Sequence, residues 1–142
     1  VVKKTAGKIF FDVVNETKDR TALAKLNAGD LVNLERPMKL NARVHGHFVL
    51  GHVDAVGVVK DTIVKGRQRS FLISFPRAFR KHIVEKGSIA VDGVSLTIGR
   101  VSQDSFWVHV IPHTLACTNF GKYKSGALVN LETDILAKLV LP

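Results

Sequence analysis

A shift of 97 positions lays residues 9–35 of this chain on residues 106–132 without a gap. Val13 meets Val110, Thr17 meets Thr114, Thr21 meets Thr118, Lys25 meets Lys122 and Gly29 meets Gly126. The run Leu31-Val32-Asn33-Leu34-Glu35 then meets Leu128-Val129-Asn130-Leu131-Glu132 residue for residue, so ten of 27 positions are identical. Self-similarity of this kind implies one small structural unit used twice. The first copy is incomplete, because residues 45–98 have no counterpart upstream. The only methionine is Met38, so Val1 is not an initiator and the chain reads as a piece of a longer tandem protein. The expected division is residues 1–40 as the tail of a first domain and 41–142 as a complete second one.

Period-two alternation marks the strands of that unit. Ile89 and Val91 alternate with small residues, and after Asp92-Gly93 the chain resumes with Val94, Leu96 and Ile98 alternating with Ser95 and Thr97. An Asp-Gly pair supplies the positive φ of a tight reversal. The stretch is therefore expected to be a strand, a turn and a strand, with two hydroxyls on the face opposite the apolar residues. Further strands are expected over 7–14, 31–37, 68–75, 105–111 and 127–132, and a long strand-like region over 45–64 broken by Gly46, Gly51 and Gly57. Residues 38–43 read as a connector. Pro76 opens an expected helix over Arg77–Val84, and the tail from Asp134 to Pro142 also reads as helical. Many short strands with little helix predict an all-β barrel or sandwich.

Composition narrows the function classes. Lys and Arg total 21 against 12 Asp and Glu, a net charge of +9, which raises nucleic acid as a partner. The basic residues between Lys60 and Lys86 have neither a recognition helix nor zinc spacing, so a solvated basic face is the better reading and no nucleic acid is expected. No apolar run approaches the roughly 20 residues of a bilayer span, and no signal peptide is visible, so no membrane partner is expected. Cys117 is the single cysteine and cannot form an internal disulfide, which suits a cytoplasmic location. His45, His47 and His52 cluster, but no cysteine or carboxylate completes a metal set, and none is expected. The Ser95 and Thr97 hydroxyls suit either a solvated strand face or the polar wall of a small-molecule pocket.

Three longer motifs in order carry a resemblance. Gly46-His47-Phe48-Val49-Leu50-Gly51-His52-Val53-Asp54-Ala55-Val56-Gly57, then residues 84–97, then Ile111-Pro112-His113-Thr114-Leu115 closely resemble riboflavin synthase of the alpha-chain type, and Asn33-Leu34-Glu35-Arg36 fits it too. The resemblance implies tandem six-stranded antiparallel Greek-key barrels, the first only partly present here, in a homotrimer with sites between subunits. It implies dismutation of two 6,7-dimethyl-8-ribityllumazine molecules into riboflavin and 5-amino-6-(ribitylamino)uracil, without a cofactor. Lumazine synthase is a candidate partner.

Carried over residue by residue, the resemblance implies a second-barrel site of Gly51, His52 and Val53, Lys86, Ser95, Leu96 and Thr97, and Ile111, Pro112, His113, Thr114, Leu115 and Ala116. The first copy would contribute Asp12, Val13, Val14, Asn15, Glu16 and Thr17. Position 113 is His where some relatives carry Glu, while its repeat mate Glu16 keeps the acid. Ser95 and Thr97 would stabilise charge on the ring as the C7 methyl loses a proton, and His52 is the candidate proton relay. His47 reads first as a hydrogen-bonded structural histidine. The non-catalytic alternative is a lumazine protein, which shares the fold and holds a lumazine or flavin as an optical antenna. The intact His52, Lys86, Ser95 and Thr97 set favours the enzyme.

Overall fold

The computed structural model describes residues 1–141. Six strands close a barrel: β3 (Ala55–Lys65), β4 (Gln68–Ser74), β5 (Ser88–Val91), β6 (Val94–Val101), β7 (Ser105–Val110) and β8 (Leu128–Thr133). Around the barrel they run β3-β4-β7-β6-β5-β8, every neighbouring pair antiparallel, a Greek-key order. Asp92 and Gly93 both take positive φ (46° and 79°), the geometry of the two-residue reversal that their types predict. Alternation then decides what faces inward. Phe71 and Ile73 of β4, Ile98 of β6, Phe106 and Val108 of β7 and Val129 and Leu131 of β8 are buried in one core, with Val94 and Leu96 packed against it. The Phe71 and Phe120 rings meet edge to face at 5.2 Å between centroids.

Before the barrel come β1 (Lys3–Thr5) and β2 (Lys8–Phe10), which pair only with each other. Then follow α1 (Asn15–Arg20) and a 3-10 turn, Ala22–Lys25. After β7, α2 (Pro112–Cys117) and a 3-10 turn, Asn119–Lys122, lead to β8, and α3 (Ile135–Val140) closes the chain. No helix among the described residues is long and apolar enough to cross a membrane.

Four expectations need correction. The strand expected over 7–14 is only Lys8–Phe10. Residues 31–37 form no strand, although Leu31–Glu35 is identical to the start of β8. The difference is partners: β8 has β3 on one side and β5 on the other, and a strand exists only where neighbours take its backbone groups. The region expected to be extended from His45 becomes a strand only at Ala55; residues 44–54 cross the outside of the barrel as an irregular segment with positive φ at Gly46 and Gly51. The helix expected over Arg77–Val84 is a 3-10 turn, Arg77–His82.

The repeat is visible in geometry as well as sequence. The helix and 3-10 turn of the first copy lie 97 positions before those of the second, residue for residue. In each copy a threonine hydroxyl, Thr21 or Thr118, donates to a carbonyl four residues back (2.6 and 2.7 Å) and caps the next turn. The Lys4–Ile9 pair of β1 and β2 falls on the Val101–Phe106 pair of β6 and β7, which extends the repeat upstream of position 9.

Candidate functional site

Because Val94, Leu96 and Ile98 turn inward, Ser95 and Thr97 stand on the outer wall of the barrel. Ser95 pairs with Ala90 of β5, and Ala90 pairs with Glu132 of β8, so the three form one row across the wall. Segment 44–54 lies over that row. His47 Nδ1 is 2.8 Å from Ser95 Oγ, and Gly46 presses on the same serine with φ +81°. The Leu50 and Gly51 N–H groups donate to the two carboxylate oxygens of Glu132 at 2.7 and 2.9 Å. Asp54 ends the segment: it accepts from the Thr133 N–H and hydroxyl at 2.7 and 2.8 Å and pairs with Lys138 of α3 at 2.8 Å. Charge-assisted bonds of this kind hold a loop that has no sheet to hold it.

Ser95 opens onto a cleft of about 850 Å³. One wall is Leu31–Glu35 with His45, and the other is the Asp92–Ser95 turn with His113, Thr114 and Ala116 of α2. A smaller cavity, about 580 Å³, lies beyond Asp92 and is reached by Gly51, Val53, Ala90 and Glu132. Volumes of this order suit a heteroaromatic ligand. On α2, His113 and Cys117 sit one turn apart with Sγ 3.9 Å from the ring nitrogens, where the first copy has a Glu16–Arg20 ion pair.

The cleft brings together Ser95, His113, Thr114 and Ala116 of the expected set. Gly51 and Val53 line the smaller cavity, and His52 stands exposed between them. Thr97 is exposed on the same wall as Ser95, opposite Ser88, outside both cavities. Lys86 is exposed at φ +66°, its N–H bonded to the Ile98 carbonyl. Leu96 and Leu115 point their side chains at the core, while Ile111 and Pro112 are exposed where α2 begins. Asp12, Val13, Val14, Asn15, Glu16 and Thr17 line neither cavity. Sequence reasoning missed the pairing of His47 with Ser95, the carboxylate of Glu132 and the role of Asp92. The glycines of the 46–57 motif were the available signal, since they allow close approach of a backbone.

Asp92 sits between the two cavities and accepts from the Tyr123 hydroxyl and, at 2.7 Å, from the Asn130 N–H. Burial raises its carboxyl above the ordinary 3.8, and these hydrogen bonds pull partly the other way. Burial, then the Asp92 charge, pushes the Tyr123 hydroxyl up as well. A raised acid binds its proton more tightly folded than unfolded. Its contribution is therefore complete below 3.8 and lost as pH rises through the folded value. Asp92→Asn removes that dependence. The melting temperature of the variant, minus that of the wild type, should climb from pH 3.5 upward and then level off; a flat difference across pH 3–8 would show Asp92 titrating normally.

The structure is thus a closed Greek-key barrel with a serine on its outer wall, a histidine-bearing loop laid over it and a cleft of ring-accommodating size alongside. Residues 50–134 match the family model described as the lumazine binding domain. Riboflavin synthase of Actinobacillus pleuropneumoniae is 42% identical over 129 residues, covering 91% of this chain and 60% of its own length. The enzymes of Photobacterium phosphoreum and Chlamydia trachomatis are each 41% identical and are covered over 64% and 68% of their lengths. The chain therefore spans less than two thirds of the first two. The structure of LumP complexed with riboflavin superposes with a TM-score of 0.76 at 25% identity, over 84% of this chain and 65% of LumP. The chain belongs to the riboflavin synthase family.

Proposed function

We propose that this barrel is a lumazine-binding half of a riboflavin synthase. Two molecules of 6,7-dimethyl-8-ribityllumazine exchange a four-carbon unit to give riboflavin and 5-amino-6-(ribitylamino)uracil. The observation that carries the reading is Ser95, turned outward into the cleft and held by His47 Nδ1. A hydroxyl whose orientation is fixed in advance stabilises negative charge on a ring carbonyl without reorganising as the C7 methyl loses its proton. His52, exposed on the bend beside Gly51, is the proton carrier, and Thr97, two residues along the same wall, supplies a second hydroxyl for the ring, with Lys86 also in the site. Beyond that, the reaction needs two rings held together, which is worth more than any single group when no strong nucleophile is present.

In this reading residues 1–40 are the closing part of a first barrel and 41–142 the second. Asp12–Thr17 serve the first ring in the assembled site. The similarity of the β1–β2 and β6–β7 registers supports it. The assembly is a homotrimer, for which the exposed Leu136, Leu139 and Val140 of α3 offer an apolar surface, and it works in the cytoplasm, with lumazine synthase as a partner. Relatives at 41–42% identity carry the enzyme's name, which favours catalysis over a carrier role.

The test uses the 142-residue chain with lumazine and riboflavin as probes, and a full-length relative as the turnover standard. The chain should quench riboflavin fluorescence on binding at micromolar concentration. It should form riboflavin at least about 10²-fold more slowly than the standard, since one of the two ring sites is incomplete. Absence of any riboflavin or lumazine binding would sink the reading, and turnover equal to the standard would sink the division between two barrels.

A further inference from the structure

Strand pairing does not explain why Leu31–Glu35 and Leu128–Glu132 are identical, because only the second run is a strand. Their asparagines do. Asn130 Oδ1 accepts from the Ala22 N–H at 2.7 Å, and Asn33 Oδ1 accepts from the Asn119 N–H at 2.9 Å. Ala22 and Asn119 are themselves repeat mates, each the first residue of its 3-10 turn. Each copy's asparagine thus holds the other copy's turn, the reciprocal contact that a two-fold axis generates. Both arms end on one residue: Asn33 Nδ2 donates to the Asp92 carbonyl at 2.9 Å, and the Asn130 N–H donates to the Asp92 carboxylate. Asn119 Nδ2 closes the circuit by donating to the Leu31 carbonyl at 2.7 Å.

We infer that Asn33 and Asn130 are positioning residues for the ligand cleft, a crossed pair that sets the distance between Leu31–Glu35 and the turn leading to Ser95. The inference rests on the cleft being the ligand site. Asn33 lines that cleft and Asn130 lines the smaller cavity beyond Asp92, so the crossed pair is read from the coupling between the two variants and not from Asn130 alone. No other described bond joins Leu31–Glu35 to the Asp92–Ser95 turn or to Asn119. Without the pair, only the Asn119 bond to the Leu31 carbonyl is left to hold the exposed run there.

Amide hydrogen exchange on the wild-type chain is the first measurement, and it requires no variant. The Ala22 and Asn119 amides should be protected to a similar degree, by about tenfold or more over a free amide, and should open together. Asn33→Leu, Asn130→Leu and the double variant, each checked for a wild-type circular dichroism spectrum, are then titrated with riboflavin. Each single change should weaken riboflavin binding by about tenfold and speed exchange at both amides, and the double change should be no worse than either alone. Unprotected amides in the wild type would overturn the inference. So would unchanged affinity in a folded Asn130→Leu, or single losses that multiply to about a hundredfold in the double variant. If the wild type itself does not bind riboflavin, the ligand reading fails, and the paired exchange of Ala22 and Asn119 still decides whether the crossed joint exists.

Discussion

Gly46→Ala is expected to weaken riboflavin binding by about 10²-fold while the barrel stays folded. Gly46 has φ +81°, and a Cβ there would lie 2.8 Å from Ser95 Cβ and closer still to its hydroxyl. A non-glycine residue in that conformation costs about 1–3 kcal/mol before any clash. The collision cannot be relieved at the far end of a flexible side chain, because Ser95 is fixed to its strand one bond away. Either the loop lifts or the serine rotates off His47, and both remove the oriented hydroxyl from the cleft. The rest of segment 44–54 remains tied to Glu132 and outside the sheet, so the melting temperature should move by only a few degrees. Fluorescence titration beside a thermal melt separates the two effects. Affinity within twofold of wild type would mean that this face of the barrel does not hold the ligand.

The second large effect lies inside the barrel. A Cβ on Gly57 of β3 would stand 2.5 Å from the Ser74 carbonyl oxygen and 2.8 Å from Leu131 Cδ1. The first of these is backbone, and it can retreat only by parting β3 from β4 at their first rung, Val58 with Ser74. Gly57→Ala should therefore cost about 3 kcal/mol, the upper range for overpacking a filled core. For a domain of this size that lowers the melting temperature by about 10 °C. A drop of less than 2 °C would show that the two strands part without penalty.

How legible was this in the sequence? The reversal at Asp92-Gly93 and the inward set around it were fully readable, because both follow from local chemistry: positive φ at two adjacent positions and a period of two. The number and spacing of strands left barrel and sandwich open, and the motif resemblance picked the closed barrel that the structure shows. Segment 44–54 was misjudged as strand for a physical reason. It has strand-like residues, but both edges of β8 are already taken by β3 and β5, so it crosses the outside instead. The identical run Leu31–Glu35 failed the same way, since pairing depends on residues far along the chain and not on the run itself. Of the site, Ser95 and the α2 residues were legible through motifs. His47 reads as a hydrogen-bonded histidine and is one, but its partner, Ser95, was not legible, because which of several clustered imidazoles reaches a given hydroxyl is set by the path of the loop. Asp92 was read only as a turn former, since nothing local marks a turn residue as the hub of a hydrogen-bonded circuit.

The two copies share a pattern and not an environment. Val32 and Leu34 are 48% and 68% exposed, while their mates Val129 and Leu131 are 0% and 2% exposed. Ile9 and Leu23 are likewise exposed where Phe106 and Phe120 are fully buried. A polar letter written at 131 buries a group without a partner and costs several kcal/mol, whereas the same letter at 34 meets water. In this chain, tolerance to random substitution is therefore split between repeat mates. Selection for a folded product would thin a randomised library at 129 and 131 and pass over 32 and 34, and only the asparagine at the centre of each run would be held in both.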